Sequence, residues 1–318
     1  MQMFEKETGQ GRTASELAQR IREWLAYKKM EKVHKRNLTK PGTVIRSQRE
    51  FDLFYNMLPR ERQDYEKQLA QMCAAAEGST LEILGICQVC CQKVKFHLDF
   101  LYGDGVIPNY RERMTCPLCG LNNRQRYIVH AVLADYVPGR KIYMYEQITA
   151  VYQAVKQRVG TENIVGSEYV ADNLVSGTVV RDILHENAEC LSFDDDSFDI
   201  VVSCDVFEHV NDYKKCFLEA SRILKKNGKL YLSVPFHTNR KENHRRAGIQ
   251  ESGLVYFDKP HYHGNPMSDE GSLVFWDYGW DMLDDLKRAG FHDVYMQPYY
   301  SIKNGNIGGI PYIFVAIK

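Results

Sequence analysis

Residues 190–236 constrain this chain more than any other stretch, because they read as one complete strand–helix–strand unit. Residues 198–203 form a short apolar run flanked by acids, the pattern of a strand buried on both faces. Asn211 and Asp212 suit a helix N-cap, and Phe217, Leu218, Ala220, Ile223 and Leu224 follow at helical spacing. Gly228 is expected to close that helix, with Lys225 and Lys226 where the dipole favours cations. Residues 229–236 then give a second buried strand. A unit of this length makes parallel neighbours joined by a right-handed crossover. Ligands in such sheets lie beyond the carboxyl ends of the strands, here at 204–209 and from Phe236 onward.

At 318 residues there is room for two modules. Residues 13–36 read as an amphipathic helix, with Leu17, Ile21, Trp24, Leu25 and Tyr27 near one face and Lys28, Lys29, Lys32, Lys35 and Arg36 on the other. A second helical region is expected over 47–76, interrupted at Pro59. Lys and Arg together number 41, as do Asp and Glu, so no global basic bias points to nucleic acid as the partner. No apolar run has the length of a membrane span and the N-terminus is polar, which fits a cytoplasmic protein.

The nine cysteines include two Cys-x-x-Cys pairs, Cys87/Cys90 and Cys116/Cys119. Each pair suits a tight knuckle whose backbone N–H groups point at thiolates, and two knuckles supply the four sulfurs of a tetrahedral Zn2+ site. Four thiolates leave no open position, so such a zinc is structural. Cys91 abuts Cys90 and competes for the same role, whereas Cys90 makes the spacing.

Further along, residues 127–137 read as a helix and 141–145 as the first strand of an α/β domain. Residues 163–168 give a second strand ending in Glu168, and 179–184 a third. Residues 237–270 are long and irregular, the mark of a lid or binding loop. A helix carrying Met282, Leu283, Leu286 and Ala289 follows, closed by Gly290, and 292–296 with 310–317 form a last antiparallel pair.

The run LSFDDDSFDIVVSCDVFEHV followed by RILKKNG closely resembles the class I S-adenosylmethionine (SAM) methyltransferases. The resemblance implies a Rossmann-like, seven-stranded class I methyltransferase sheet in a SAM domain (124–318) whose acceptor loop is 237–275; a small zinc ribbon (81–123) precedes it, and the N-terminal helical segment (1–80) lies outside the resemblance. It implies a cofactor site at Tyr145, Glu146, Glu168, Tyr169, Asn187, Ala188 and Cys204. Glu168 would bond the ribose hydroxyls, since two carboxylate oxygens can accept from vicinal O–H groups. Asn187 stands where the family places an acid against the adenine amino group, and Ala188 leaves room for the ring. The chain departs from the family after the first strand: Glu146 is retained, but 147–150 hold no glycine, so the loop must be wider or rely on Thr149 and Ala150. RERMTCPLCGLNNRQR, PHYHGNPMSDEGSL and WDYGWDMLDDLKRAGF narrow the resemblance, over residues 85–318, to a bacterial subgroup that pairs a zinc ribbon with this domain.

Methyl transfer is an in-line displacement that needs alignment and exclusion of water, and an alcohol or amine acceptor gains from a base. His209 lies beside the expected methyl site. His261 and His263 flank Tyr262 and point to one side of an extended segment, where they suit a base, an anionic acceptor or a second metal. The expected function is methyl transfer to an O or N atom of a small molecule, sugar or natural product. An RNA methyltransferase that uses the ribbon for RNA contact, and a binding protein that has lost SAM, are the competing readings.

Overall fold

The computed structural model describes residues 42–265 and 268–318. The basic helix expected at 13–36 lies outside them. Pro59 does divide the first described helical stretch, giving α1 (Gln48–Asn56), capped by the Ser47 side chain, and α2 (Glu61–Ala75). Tyr65, Leu69 and Cys73, at successive i+4 positions, bury one face of α2.

A hairpin follows, β1 (Leu81–Cys87) against β2 (Gln92–Leu98). His97 pairs with Thr115 through two backbone hydrogen bonds, which swings the second cysteine pair over the first. The next helix, α3 (Asn123–Asp135), begins four residues before the apolar stripe. Asn122 and Gln125 make a reciprocal capping box there, a polar signal that hydrophobic spacing does not register.

The α/β portion contains β3 (Ile142–Met144), α4 (Ala150–Val159), β4 (Ile164–Gly166), β5 (Thr178–Val180), β6 (Ile183–His185), β7 (Phe198–Cys204), α5 (Tyr213–Ile223) and β8 (Leu224–Ser233). Short pairs follow: β9 (His244–Arg245) with β14 (Trp276–Asp277), β10 (Ala247–Gln250) with β11 (Gly253–Tyr256), and β12 (Tyr262–Asn265) with β13 (Ser268–Leu273). The chain closes with α6 (Asp281–Arg288), β15 (Asp293–Pro298) and β16 (Tyr312–Ile317). The central sheet runs β15-β16-β8-β7-β3-β4. Its β4, β3, β7 and β8 are mutually parallel, and β16 and β15 are antiparallel additions. All three residues of β3 are fully buried, as a strand covered on both faces requires.

Three local expectations are corrected. The expected third strand, 179–184, turns back on itself as β5 and β6, because Arg181 and Asp182 both take positive φ (49° and 65°). Among the described residues the hydrogen-bonded sheet therefore has six strands, and the seventh position is marked by a single parallel bridge from His185 to Glu168. Gly228 does not end the helix. The chain passes from Ile223 straight into β8, and Gly228 sits in an irregularity of that strand, where a Cβ would meet the Lys225 carbonyl at 2.8 Å. Residues 237–275 are not irregular: their polar, histidine-rich sequence pairs into short hairpins, one of them turned at Gly253 (φ 104°).

One buried cluster joins the hairpin to the sheet, with Phe96, Leu98 and Met114 in it beside Ile128, Ile142, Val151 and Ile313. Arg126, 1% exposed, lies over the Phe96 ring and donates to the carbonyls of Met114, Leu121, Asn304 and Gly305. Among the described residues no helix is long and apolar enough to cross a membrane.

Candidate functional site

From β3 the chain crosses to β4 on one side, while β7 lies against β3 on the other. The order of strands reverses between β3 and β7, and crevices at such points are where open α/β sheets bind ligands. Three segments reach this crevice: Tyr145 and Glu146 after β3, Ser167 and Glu168 after β4, Cys204 and Asp205 closing β7.

Glu146 is buried, accepts from the Thr149 hydroxyl at 2.5 Å, and leaves Oε1 without a hydrogen-bond partner. Burial pushes its carboxyl up to about 7, although Thr149, the Cys204 thiol and the Arg124 guanidinium pull the other way. The Cys204 thiol is pushed up in turn, first by burial and then by the Glu146 charge. Gly166 closes the floor, since a Cβ there would stand 2.5 Å from the Glu146 carbonyl oxygen.

The glycine-free loop has its own solution. Glu168 Oε1 accepts from the backbone N–H groups of Gln147 and Ile148, at 2.7 and 3.0 Å. Gln147 reaches across to the β5–β6 hairpin, donating to the Asp182 carbonyl and accepting from Leu184 N–H. Thr149 caps α4. A carboxylate at the tip of β4 thus orders the loop by gathering its donors.

Tyr169 is exposed, and its hydroxyl donates to Asp172. Asn187 Oδ1 accepts from Glu189 N–H, while Ala188 is buried against the core beside it. Glu186, one residue before Asn187, is also buried and accepts from the backbone and hydroxyl of Ser192. Tyr145 is core, edge-on to Tyr143 and Phe207. Trp280 packs against Phe51 and Phe236.

Beyond β7 the chain makes one short turn, 207–209. It is held by Phe275 N–H to the Glu208 carbonyl (2.7 Å) and by the Tyr278 hydroxyl to the Phe207 carbonyl (2.7 Å). Glu208 is fully buried, and neither carboxylate oxygen has a hydrogen-bond partner. His263 Nδ1 lies 3.6 Å and His209 Nε2 3.7 Å from its Oε1. Burial pushes Glu208 up to about 7 and pulls His209 down to about 4. The expected histidines are therefore divided: His209 and His263 converge on Glu208, whereas His261 stands one ring further out, 5.0 Å from His263 between centroids.

The four cysteine sulfurs of Cys87, Cys90, Cys116 and Cys119 lie within 4.8 Å of one another. The Cys87–Cys119 and Cys90–Cys116 separations are both 3.9 Å. Sulfurs about 2.3 Å from a tetrahedral zinc stand about 3.8 Å apart, so the cluster fits that ion. The Cys119 thiol draws Cys87 down to about 5, while burial pushes Cys90 up to about 12. Four thiolates cannot share this space without a cation. Cys91 is exposed at φ 55° and takes no part: its thiol faces the Gln88 carbonyl.

Two arginines carry a role that sequence reasoning missed. Arg124 Nη2 pairs with Asp205 Oδ2 at 2.8 Å and Arg111 Nη2 with Oδ1 at 3.1 Å, while Ser233 donates to the same carboxylate. These charges hold Asp205 well below the usual carboxylate range. The signal was RERM and NNRQR, whose arginines flank the second cysteine pair.

The family described as "Methyltransferase domain" matches residues 131–232. No curated protein sequence matches the chain. Among solved structures, a chain from the Haloferax volcanii complex of the Trm112 methyltransferase activator with a methyltransferase is 17% identical, covering 61% of this chain and 89% of that one (TM-score 0.40). A SAM-dependent methyltransferase from Mesorhizobium loti is 13% identical, covering 60% and 98% (TM-score 0.39). The Burkholderia thailandensis 1,6-didemethyltoxoflavin-N1-methyltransferase is 10% identical, covering 61% and 78% (TM-score 0.38). Residues 131–232 are thus similar to a methyltransferase domain, and the sheet around them is open and mostly parallel. The unpaired Glu146 oxygen suits the cofactor's ammonium, and the carboxyl ends of β3, β4 and β7 bound the crevice where it would lie.

Proposed function

We propose that the protein transfers the methyl group of SAM to an O or N atom of a small-molecule or sugar acceptor. The observation that carries this reading is the crevice between β3 and β7, with an unpaired buried carboxylate oxygen on one side and the Glu208 cluster one short turn beyond the other. Glu146 Oε1 holds the cofactor's ammonium, which brings the carboxyl below its buried value. Glu168 offers its second oxygen to the ribose while Oε1 keeps the loop in place. The bound sulfonium supplies an electrophilic methyl group. The chain's own task is to align the acceptor and exclude water.

The acceptor's reacting atom is held by Glu208, His209 and His263. His209 donates its Nδ1 proton to the Leu273 carbonyl at 2.8 Å, so Nε2 keeps a lone pair facing the cluster. The four cysteines hold zinc as a structural ion that ties the two knuckles of residues 81–123 together. The balance of charge, 41 basic against 41 acidic residues, favours a small acceptor over RNA. Titration calorimetry of the zinc-loaded full chain with S-adenosylhomocysteine tests the reading. One equivalent should bind, and absence of binding would overturn it.

A further inference from the structure

The Glu208 cluster has a feature that a proton-transfer role alone does not explain. A carboxylate removed wholly from solvent is costly unless hydrogen-bonded or paired, and Glu208 has no hydrogen bond to either oxygen. Its nearest charged or titratable partners, at 3.6 and 3.7 Å, are beyond hydrogen-bond reach. Ligands about 2.1 Å from a metal stand roughly 3.0 to 3.4 Å apart at octahedral or tetrahedral angles. The separations here are a few tenths of an ångström wider, so small side-chain shifts would bring both nitrogens and the carboxylate onto one ion.

We propose that Glu208, His209 and His263 form a second metal site, distinct from the cysteine cluster, that takes a divalent first-row cation. The ligand atoms of all three lie within 4.8 Å of one another. Two imidazoles and one carboxylate favour ions such as Mn2+, Co2+ or Zn2+ over Mg2+ or Ca2+, which prefer all-oxygen shells. His209 is already oriented as a ligand: its Nδ1 is spent on the Leu273 carbonyl, the outer hydrogen bond that metal-binding histidines ordinarily make. Glu208 and His209 sit on a turn held by Phe275 and Tyr278, and His263 comes from β12. Loop 237–275 thus supplies a ligand as well as a wall.

Three protein ligands leave positions open, and the side chains of His209 and His263 are 17% and 30% exposed, so the open side faces outward. An acceptor oxygen or nitrogen can bind there. That role rests on the methyl-transfer reading; the binding of the ion does not.

The test is calorimetric titration of Mn2+ into the full chain with its cysteine site already loaded with zinc. One equivalent should bind to the wild type, and the event should disappear in His263→Ala and in Glu208→Gln. His263 is partly exposed, so its variant should keep the fold, which circular dichroism checks. No Mn2+ binding to the wild type, or binding unchanged in folded His263→Ala, overturns the proposal. Parallel titration with S-adenosylhomocysteine separates the two readings. Mn2+ binding without nucleoside binding leaves the metal site standing and removes the methyltransferase; the converse removes only the metal.

Discussion

Arg124 on α3 meets Asp205 at the carboxyl end of β7, Nη2 to Oδ2 at 2.8 Å, with both side chains about five-sixths buried. The pair fastens the segment beside the cysteine cluster to the rim of the crevice. Asp205 also takes Arg111, but Arg111 is the more exposed of the two arginines. Arg124→Ala leaves a buried carboxylate short of its better partner. The expected loss is about 3 kcal/mol of stability, measured by urea unfolding, against under about 1 kcal/mol for Arg111→Ala. Equal losses would show that the two arginines share the load.

Glu146 gives a pH dependence whose sign can be worked out. Its carboxyl is raised from 4.5 to about 7 in the folded chain, so the folded state holds its proton more tightly than the unfolded state. Stability from this group is present below the unfolded value and is lost as pH rises through about 7. Glu146→Gln removes the ionisation. Its unfolding temperature relative to wild type should therefore rise between pH 5 and pH 8, for a differential on the order of 3 kcal/mol. A difference that stays flat across that range would place the carboxyl near its ordinary value.

Glu168 should show two effects that its variants can separate. Glu168→Ala removes the acceptor for Gln147 and Ile148 N–H and, on the proposed function, the oxygen for the ribose. Affinity for S-adenosylhomocysteine should fall about ten- to a hundredfold, with lower thermal stability. Glu168→Gln keeps an oxygen for the loop and should recover most of the stability but not the affinity. Unchanged affinity in the alanine variant would remove Glu168 from the cofactor site.

Cys116→Ser should cost the chain one bound zinc and several kcal/mol, read by metal analysis and thermal unfolding. Cys91→Ser should change neither, because the Cys91 thiol points away from the cluster. Zinc retained in the first variant, or lost in the second, would mean a different ligand set.

The cysteine cluster was legible in the sequence because each knuckle is local: three residues of spacing dictate the geometry of a pair. The β7–α5–β8 unit was legible for the same reason, through one capping residue and one apolar stripe. Two features were not. Arg181 and Asp182 fold the third strand into a hairpin by adopting positive φ, which Asp tolerates but Arg does not advertise. His263 meets Glu208 from 55 positions away, by a register in β12 that depends on the pairing of β12 with β13 rather than on any motif. Glu208 reads only as a contributor beside the His209 base, since sequence does not reveal which member of a Glu-His pair faces inward.

Arg126 draws its carbonyl partners from two stretches of chain, 114–121 and 304–305, that lie far apart in sequence. Arg126 thus couples the two stretches. A hybrid that grafts the cysteine-bearing segment of this chain onto another α/β domain would bury a guanidinium facing the wrong loop, unless the turn before β16 travels with it. The two therefore form one heritable unit split across the sequence, and substitutions in either should be compensated in the other.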